Sequence, residues 1–166
     1  MRANTLVYDV GSTYTKAAAF RLERGKFTFL GRGQSLTTLD NIMDGAARAE
    51  QSIREQGVDF DCVICDNDEM ALGVIEALEA AGRDPGAAPI VSVDHTAEGA
   101  AALESGKLYM TVDQNPEDQA RAAVAAAVNL ARGRAYDDGL RELLGNDCTD
   151  PEQPFVLRVP VEAVTA

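Results

Sequence analysis

Residues 62–82 read CVICDNDEMALGVIEALEAAG, and the change of pattern inside this stretch decides the fold. Cys62 to Cys65 form a short, uninterrupted apolar run, the mark of a strand buried on both faces. Three polar residues follow, Asp66, Asn67 and Asp68. From residue 69 the apolar side chains Met70, Val74, Ile75 and Leu78 recur at the spacing of one helix face, predicting a helix over 69–81 with Asp68 as its N-cap. A buried strand that turns directly into an amphipathic helix is half of a β-α-β unit.

The unit repeats downstream. PIVSV at 89–93 predicts a buried strand, 96–105 a short helix, and LYMTV at 108–112 a further strand. Asn115-Pro116-Glu117 then supplies an N-cap, a proline at the first helical position and an acid in the first turn, opening a long helix with Ala120, Val124, Ala127, Val128 and Ala131 as its apolar stripe. This alternation predicts a parallel sheet covered by helices on both faces. Residues 133–154 are polar and turn-rich around one short helix, and FVLRVPV at 155–161 reads as an edge strand limited by Pro160.

Upstream the pattern is different. TLVYDV at 5–10, TKAAAF at 15–20 and KFTFLGRGQ at 26–34 read as three strands, separated by Gly11-Ser12-Thr13 and by Glu23-Arg24-Gly25. Connections this short make neighbouring strands antiparallel. Asp40 can cap a following helix, with Ile42, Ala46, Ala49 and Ile53 at helical spacing until Gly57. The expected fold is therefore one α/β domain over 1–166: a three-layer mixed sheet whose antiparallel start, in 1–57, is similar to the ribonuclease-H-like arrangement. It continues over 58–166 into a Rossmann-like parallel sheet with helices on both faces.

Composition excludes several function classes. The formal net charge is −12, from 27 acidic and 15 basic residues, and an acidic surface repels nucleic acids and anionic membranes. Cys62, Cys65 and Cys148 are odd in number. A strand through CVIC sends the first two thiols to opposite faces, so buried structural thiols are expected in place of a metal or redox pair. No apolar run is long enough to span a bilayer. MRANTLVYDVG enters a strand pattern with no leader-like segment, which gives a cytoplasmic expectation.

Two resemblances are carried by these stretches. DVGSTYTK, GRGQSLTT and NIMDG, within 5–56, resemble the start of the MutL-like accessory proteins of glutamate mutase, in the actin/Hsp70/sugar-kinase superfamily. NDEMALGVIEALEAAG, PIVSVD, ESGKLYMTVDQNP, AVNLARG and RVPVEAVTA, within 58–166, resemble the C-terminal lobe of type I periplasmic sugar-binding proteins of the ribose and galactose kind. The first resemblance implies nucleotide bound between two domains, the second a sugar clamped between two lobes. Each family is represented by only one side of its cleft. A splice near 57–61, where a helix ends and a parallel strand begins, makes an engineered or recombined chimera the economical expectation.

The candidate residues follow. In a phosphate-loop reading, the backbone N–H groups of Gly11, Ser12 and Thr13 and the hydroxyls of Ser12, Thr13 and Thr15 are donors, Lys16 supplies charge, and Asp9 could hold Mg²⁺ through water. The competing reading is a plain hairpin turn. In the sugar reading, the resemblance gives ligand-facing roles to Asn67, Asp94 and Asn115 at the ends of three successive strands, where open α/β sheets bind ligands. Asp68 and His95 lie beside them. The competing reading is helix capping. No catalytic residue, metal site or required cofactor is expected beyond possible weak Mg-ATP binding. The leading expectation is a chimera with no evolved catalytic activity; the alternatives are a weak sugar-binding half-module and an ATP-binding fragment. A small sugar is the expected partner, with homodimerisation through exposed lobe surface around Asp94, Asn115 and 155–161.

Overall fold

A computed structural model describes residues 2–10, 14–36, 47–48, 51, 54–150, 152–153 and 155–166, with only the backbone described at 2, 8–10, 14–15 and 34–36. The chain forms β1 (Arg2–Val10), β2 (Tyr14–Glu23), β3 (Lys26–Leu36), β4 (Cys62–Ile64), α1 (Asp68–Ala80), a 3₁₀ turn (Pro85–Ala87), β5 (Ile90–Val93), α2 (Ala97–Glu104), β6 (Met110–Asp113), α3 (Pro116–Ala131), α4 (Leu140–Leu144) and β7 (Glu162–Thr165). Among the described residues the seven strands make one sheet in the order β3-β2-β1-β4-β5-β6-β7. β1 to β3 are antiparallel, whereas β1, β4, β5 and β6 run parallel. The mixed sheet flanked by helices is the fold class expected from the sequence.

Local chemistry accounts for the hairpins. Glu23 pairs with Lys26 across Arg24 and Gly25, both at positive φ (53° and 76°), the mirror-image two-residue turn whose twist suits paired strands. The expected helix before Gly57 falls mostly outside the described residues: Asp40, Ile42, Ala46, Ala49 and Ile53 are among those not described, while Ala47, Arg48, Gln51, Arg54 and Glu55 are helical.

By packing, the chain divides into two units: Met1–Val112 with Ala163–Ala166, and Asp113–Glu162. In the first, a buried row crosses the sheet through register partners Gly31, Ala19, Leu6, Val63 and Ile90. Met70, Ala71, Val74, Ile75 and Leu78 of α1 join the same core, as the helical spacing requires. Burying each of the larger side chains, Leu6, Val63, Ile90, Met70, Val74, Ile75 and Leu78, contributes roughly 1.5–3 kcal/mol, so this layer carries much of the unit's stability.

The second unit departs from the sequence reading in two places. The expected stripe of α3, Ala120, Val124, Ala127, Val128 and Ala131, is exposed, and Ala122 and Asn129 are buried instead. The reason is polar: Asn129 Nδ2 donates to the carbonyls of Asp138 (2.7 Å) and Tyr136 (3.3 Å), turning that face of the helix toward the loop that follows it. The strand expected at 155–161 is reduced to a single bridge between Thr149 and Leu157, with Arg158 N donating to Cys148 O at 2.7 Å. Pro160 offers no N–H, and the last strand forms at Glu162–Thr165.

Candidate functional site

Parallel strands β4 and β5 end side by side, and the ladder continues past the strand through Cys65 N to Val91 O at 2.9 Å. The chain then turns through Asp66 into Asn67, whose extended backbone (φ −151°, ψ 170°) and side-chain oxygen, accepting from Met70 N at 2.9 Å, make it the N-cap of α1. The cap predicted at Asp68 thus sits one residue earlier. Asn67 is half-buried at the sheet's C-terminal edge.

Asp68 points inward. It is 0% exposed, and its carboxylate accepts four hydrogen bonds: from Ser92 Oγ at 2.5 Å, Thr111 Oγ1 at 2.7 Å, Thr96 N at 2.7 Å and Thr96 Oγ1 at 3.1 Å. Ser92 and Thr111 are register partners on β5 and β6, both buried. A buried carboxylate persists only when donors replace its water. Here the strand hydroxyls and the start of α2 supply them. Asp68 is therefore removed from the ligand-facing candidates.

The end of β5 is strained. Asp94 has φ 109° and His95 φ 52°, two consecutive non-glycine residues in the left-handed region. Asp94 N donates to Val112 O at 2.9 Å, and His95 N to Thr111 Oγ1 at 3.2 Å. Asp94 is exposed and His95 half-buried. Neither caps the following helix: Thr96 does, accepting from Gly99 N at 3.0 Å. The capping alternative therefore holds for Asn67 and fails for Asp94.

Asn115 belongs to the second unit. It is left-handed (φ 53°, ψ 60°) and caps α3, accepting from Asp118 N at 3.3 Å and donating through Nδ2 to Asp118 Oδ2 at 3.1 Å, while its own N–H reaches Asp113 Oδ1 at 2.7 Å.

The phosphate-loop candidates fare differently. Gly11, Ser12 and Thr13 lie outside the described residues. Asp9 and Lys16 are register partners across the β1–β2 pair, as are Val10 and Thr15, and Lys16 is exposed. The antiparallel β1–β2 pairing is common to the phosphate-loop and hairpin readings.

Cys65 is buried, and its thiol is pushed well above its ordinary value by burial first and then by the charges of Asp68 and Asp66. Cys62 is half-buried and donates to Thr5 Oγ1 at 3.2 Å. Both cysteines are free, and no cluster of three or more potential metal ligands occurs among the described residues.

Sequence reasoning missed the donors around Asp68 and the strained corner. The signal for the first was present: a serine in PIVSV and a threonine in LYMTV occupy inward strand positions, where a hydroxyl needs a partner.

A periodic pattern this specific has relatives. The family model for the periplasmic binding protein domain matches residues 10–135. The chain is 30% identical over 103 residues to the ribose import binding protein of Bacillus subtilis, covering 62% of this chain and 29% of that protein. It is 35% identical over 108 residues to the D-galactose/methyl-galactoside binding periplasmic protein of Haemophilus influenzae, covering 62% and 32%. Among solved structures, a solute-binding protein of an ABC transporter from Bacillus halodurans with bound myo-inositol is similar at 30% identity and a TM-score of 0.54, covering 74% of this chain and 36% of that one. The matched part thus spans about a third of the length of these relatives. The family match begins at residue 10 and runs unbroken through 57–61. The expected splice is therefore unsupported, and with it the chimera, the engineered origin, the glutamate mutase accessory segment and the ribonuclease-H-like label. The antiparallel strands remain, as part of one mixed sheet.

Proposed function

The chain belongs to the periplasmic binding protein domain family, and from that membership we propose that it is a sugar-recognising module, taking small neutral polyhydroxylated ligands at the C-terminal ends of β4 and β5 through Asn67, Asp94 and His95. The observation that carries this reading is the left-handed pair Asp94 (φ 109°) and His95 (φ 52°). Such residues cost roughly 1–3 kcal/mol each and concentrate where a site needs a side chain aimed in one direction.

The chemistry fits the class. A carboxylate accepts from two neighbouring hydroxyls, an amide both donates and accepts, and imidazole adds a further donor or acceptor. The net charge of −12 disfavours anionic ligands such as sugar phosphates or nucleotides. The ligands named for these relatives, ribose, galactose and myo-inositol, are neutral and rich in hydroxyls. Asn115 carries the same proposed role in its own unit, as an amide held in a left-handed turn.

The matched length accounts for about a third of each relative, so clamping of the ligand by a second lobe is part of the proposal. Without that clamp, affinity is expected near the millimolar range that a few solvent-open hydrogen bonds supply. Thermal-shift titration with ribose, galactose and myo-inositol, with Mg-ATP as the control, tests the reading. A ligand that binds only the folded state raises the midpoint by mass action. The expected result is a shift with at least one polyol that is lost in Asp94→Ala. A shift with Mg-ATP alone, lost in Lys16→Ala, would overturn it.

A further inference from the structure

We infer that Asp68 is the positioning residue of this site: its buried carboxylate holds Asp94 and His95 in their left-handed conformations and thereby aims them at the ligand. The inference rests on the sugar-site reading for its binding consequence alone; the conformational part stands on the geometry of the first unit.

The connections are short. Thr111 donates its hydroxyl proton to Asp68 Oδ1 (2.7 Å), which leaves the Thr111 oxygen free to accept from His95 N (3.2 Å). Asp68 Oδ2 accepts from Thr96 N (2.7 Å), the residue directly after the strained pair. The carboxylate therefore fixes the chain on the C-terminal side of the corner and sets the orientation of the hydroxyl that binds inside it. Ser92, on the strand leading into the corner, is the third anchor at 2.5 Å. Asp68 itself follows Asn67, so one side chain ties the end of β4 to the start of α2.

Polarity makes the role specific. Four donors converge on the two oxygens of the carboxylate, and it accepts in each of these hydrogen bonds. Asparagine has nearly the same shape but replaces one acceptor with an NH₂ group. In Asp68→Asn, that NH₂ must face either Thr96 N or the pair of strand hydroxyls. Either arrangement opposes donors or turns the Thr111 hydroxyl away from the geometry that receives His95 N.

Nuclear magnetic resonance on the intact chain reads the corner directly, because positive φ gives a strong intraresidue Hα–HN Overhauser effect. In the wild type this signal is expected at Asp94 and His95. In Asp68→Asn it is expected to be lost at both, while the β1–β3 amide pattern persists and affinity for whichever polyol the wild type binds falls at least about tenfold, the effect of roughly 1.4 kcal/mol. If Asp68→Asn does not fold, Thr111→Val decides, since it removes only the bridging hydroxyl; loss of the His95 signal in that folded variant supports the inference. Retention of both signals in a folded Asp68→Asn, or of the His95 signal in Thr111→Val, overturns it and leaves Asp68 a packing group. A wild type that shows the two signals but binds no polyol counts against the sugar reading and leaves the positioning arm intact.

Discussion

Gly99 packs so tightly on Asp68 that a Cβ at position 99 would collide with the carboxylate. The first turn of α2 and the turn after β4 are thereby matched in shape as well as in hydrogen bonding. Gly99→Ala must displace either the helix or the acid, and overpacking of this kind costs about 1–3 kcal/mol. We expect a lowered melting midpoint and a non-additive cycle with Asp68→Ala, because the second substitution removes the carboxylate that the new methyl meets most closely. Full additivity of the two losses would contradict the contact.

Asn67 separates capping from recognition. Asn67→Ala removes the acceptor for Met70 N and is expected to lose about 1 kcal/mol. Asn67→Asp keeps that acceptor and places a negative charge at a helix N-terminus, so stability is expected to return. Polyol affinity is expected to stay reduced in both variants, since the amide donor is gone. Equal stability of Asn67→Ala and wild type in denaturant melts would contradict the cap.

Cys65 gives a pH signature. Its folded-state value is raised, by burial first and by Asp68 and Asp66 next, so the native state holds its proton after the unfolded chain has released it. The associated stability is present below the ordinary thiol value of 9.0 and declines as pH rises beyond it. We expect Cys65 to resist alkylation in the native protein and to react on unfolding. Native-state labelling of Cys65 at the rate of an exposed thiol would contradict this burial.

Phe155 and Val161 are 76% and 61% exposed within a stretch expected from sequence to pair as an edge strand. Apolar side chains placed this openly favour association, so light scattering is expected to show self-association at high concentration that Phe155→Ser reduces. A monomer at every concentration would contradict it.

The strand and helix alternation was legible because the buried strands CVIC, PIVSV and LYMTV are short, mostly apolar runs with at most one serine or threonine each, and each following helix opens on a polar residue. The identity of the caps was less so. Asn67, Asp68, Asp94 and Thr96 are all competent caps by type, and choosing among them needs the buried hydroxyls that claim Asp68 and the Gly99 N–H that selects Thr96 over Asp94. The face of α3 was misread for a related reason: a loop binding Asn129 outweighed the apolar periodicity. Two apparent ancestries were read from short motifs, whereas the family match extends across both.

The central claim is that Asn67, Asp94 and His95 form the ligand-contacting edge. Amide chemical-shift mapping during titration with ribose, galactose and myo-inositol tests it most directly. Saturable shifts are expected for at least one polyol, concentrated at residues 67 and 94–96 and absent in Asp94→Ala. Uniformly silent spectra at polyol concentrations beyond the millimolar range, or shifts confined to the β1–β2 hairpin around Lys16, would contradict it.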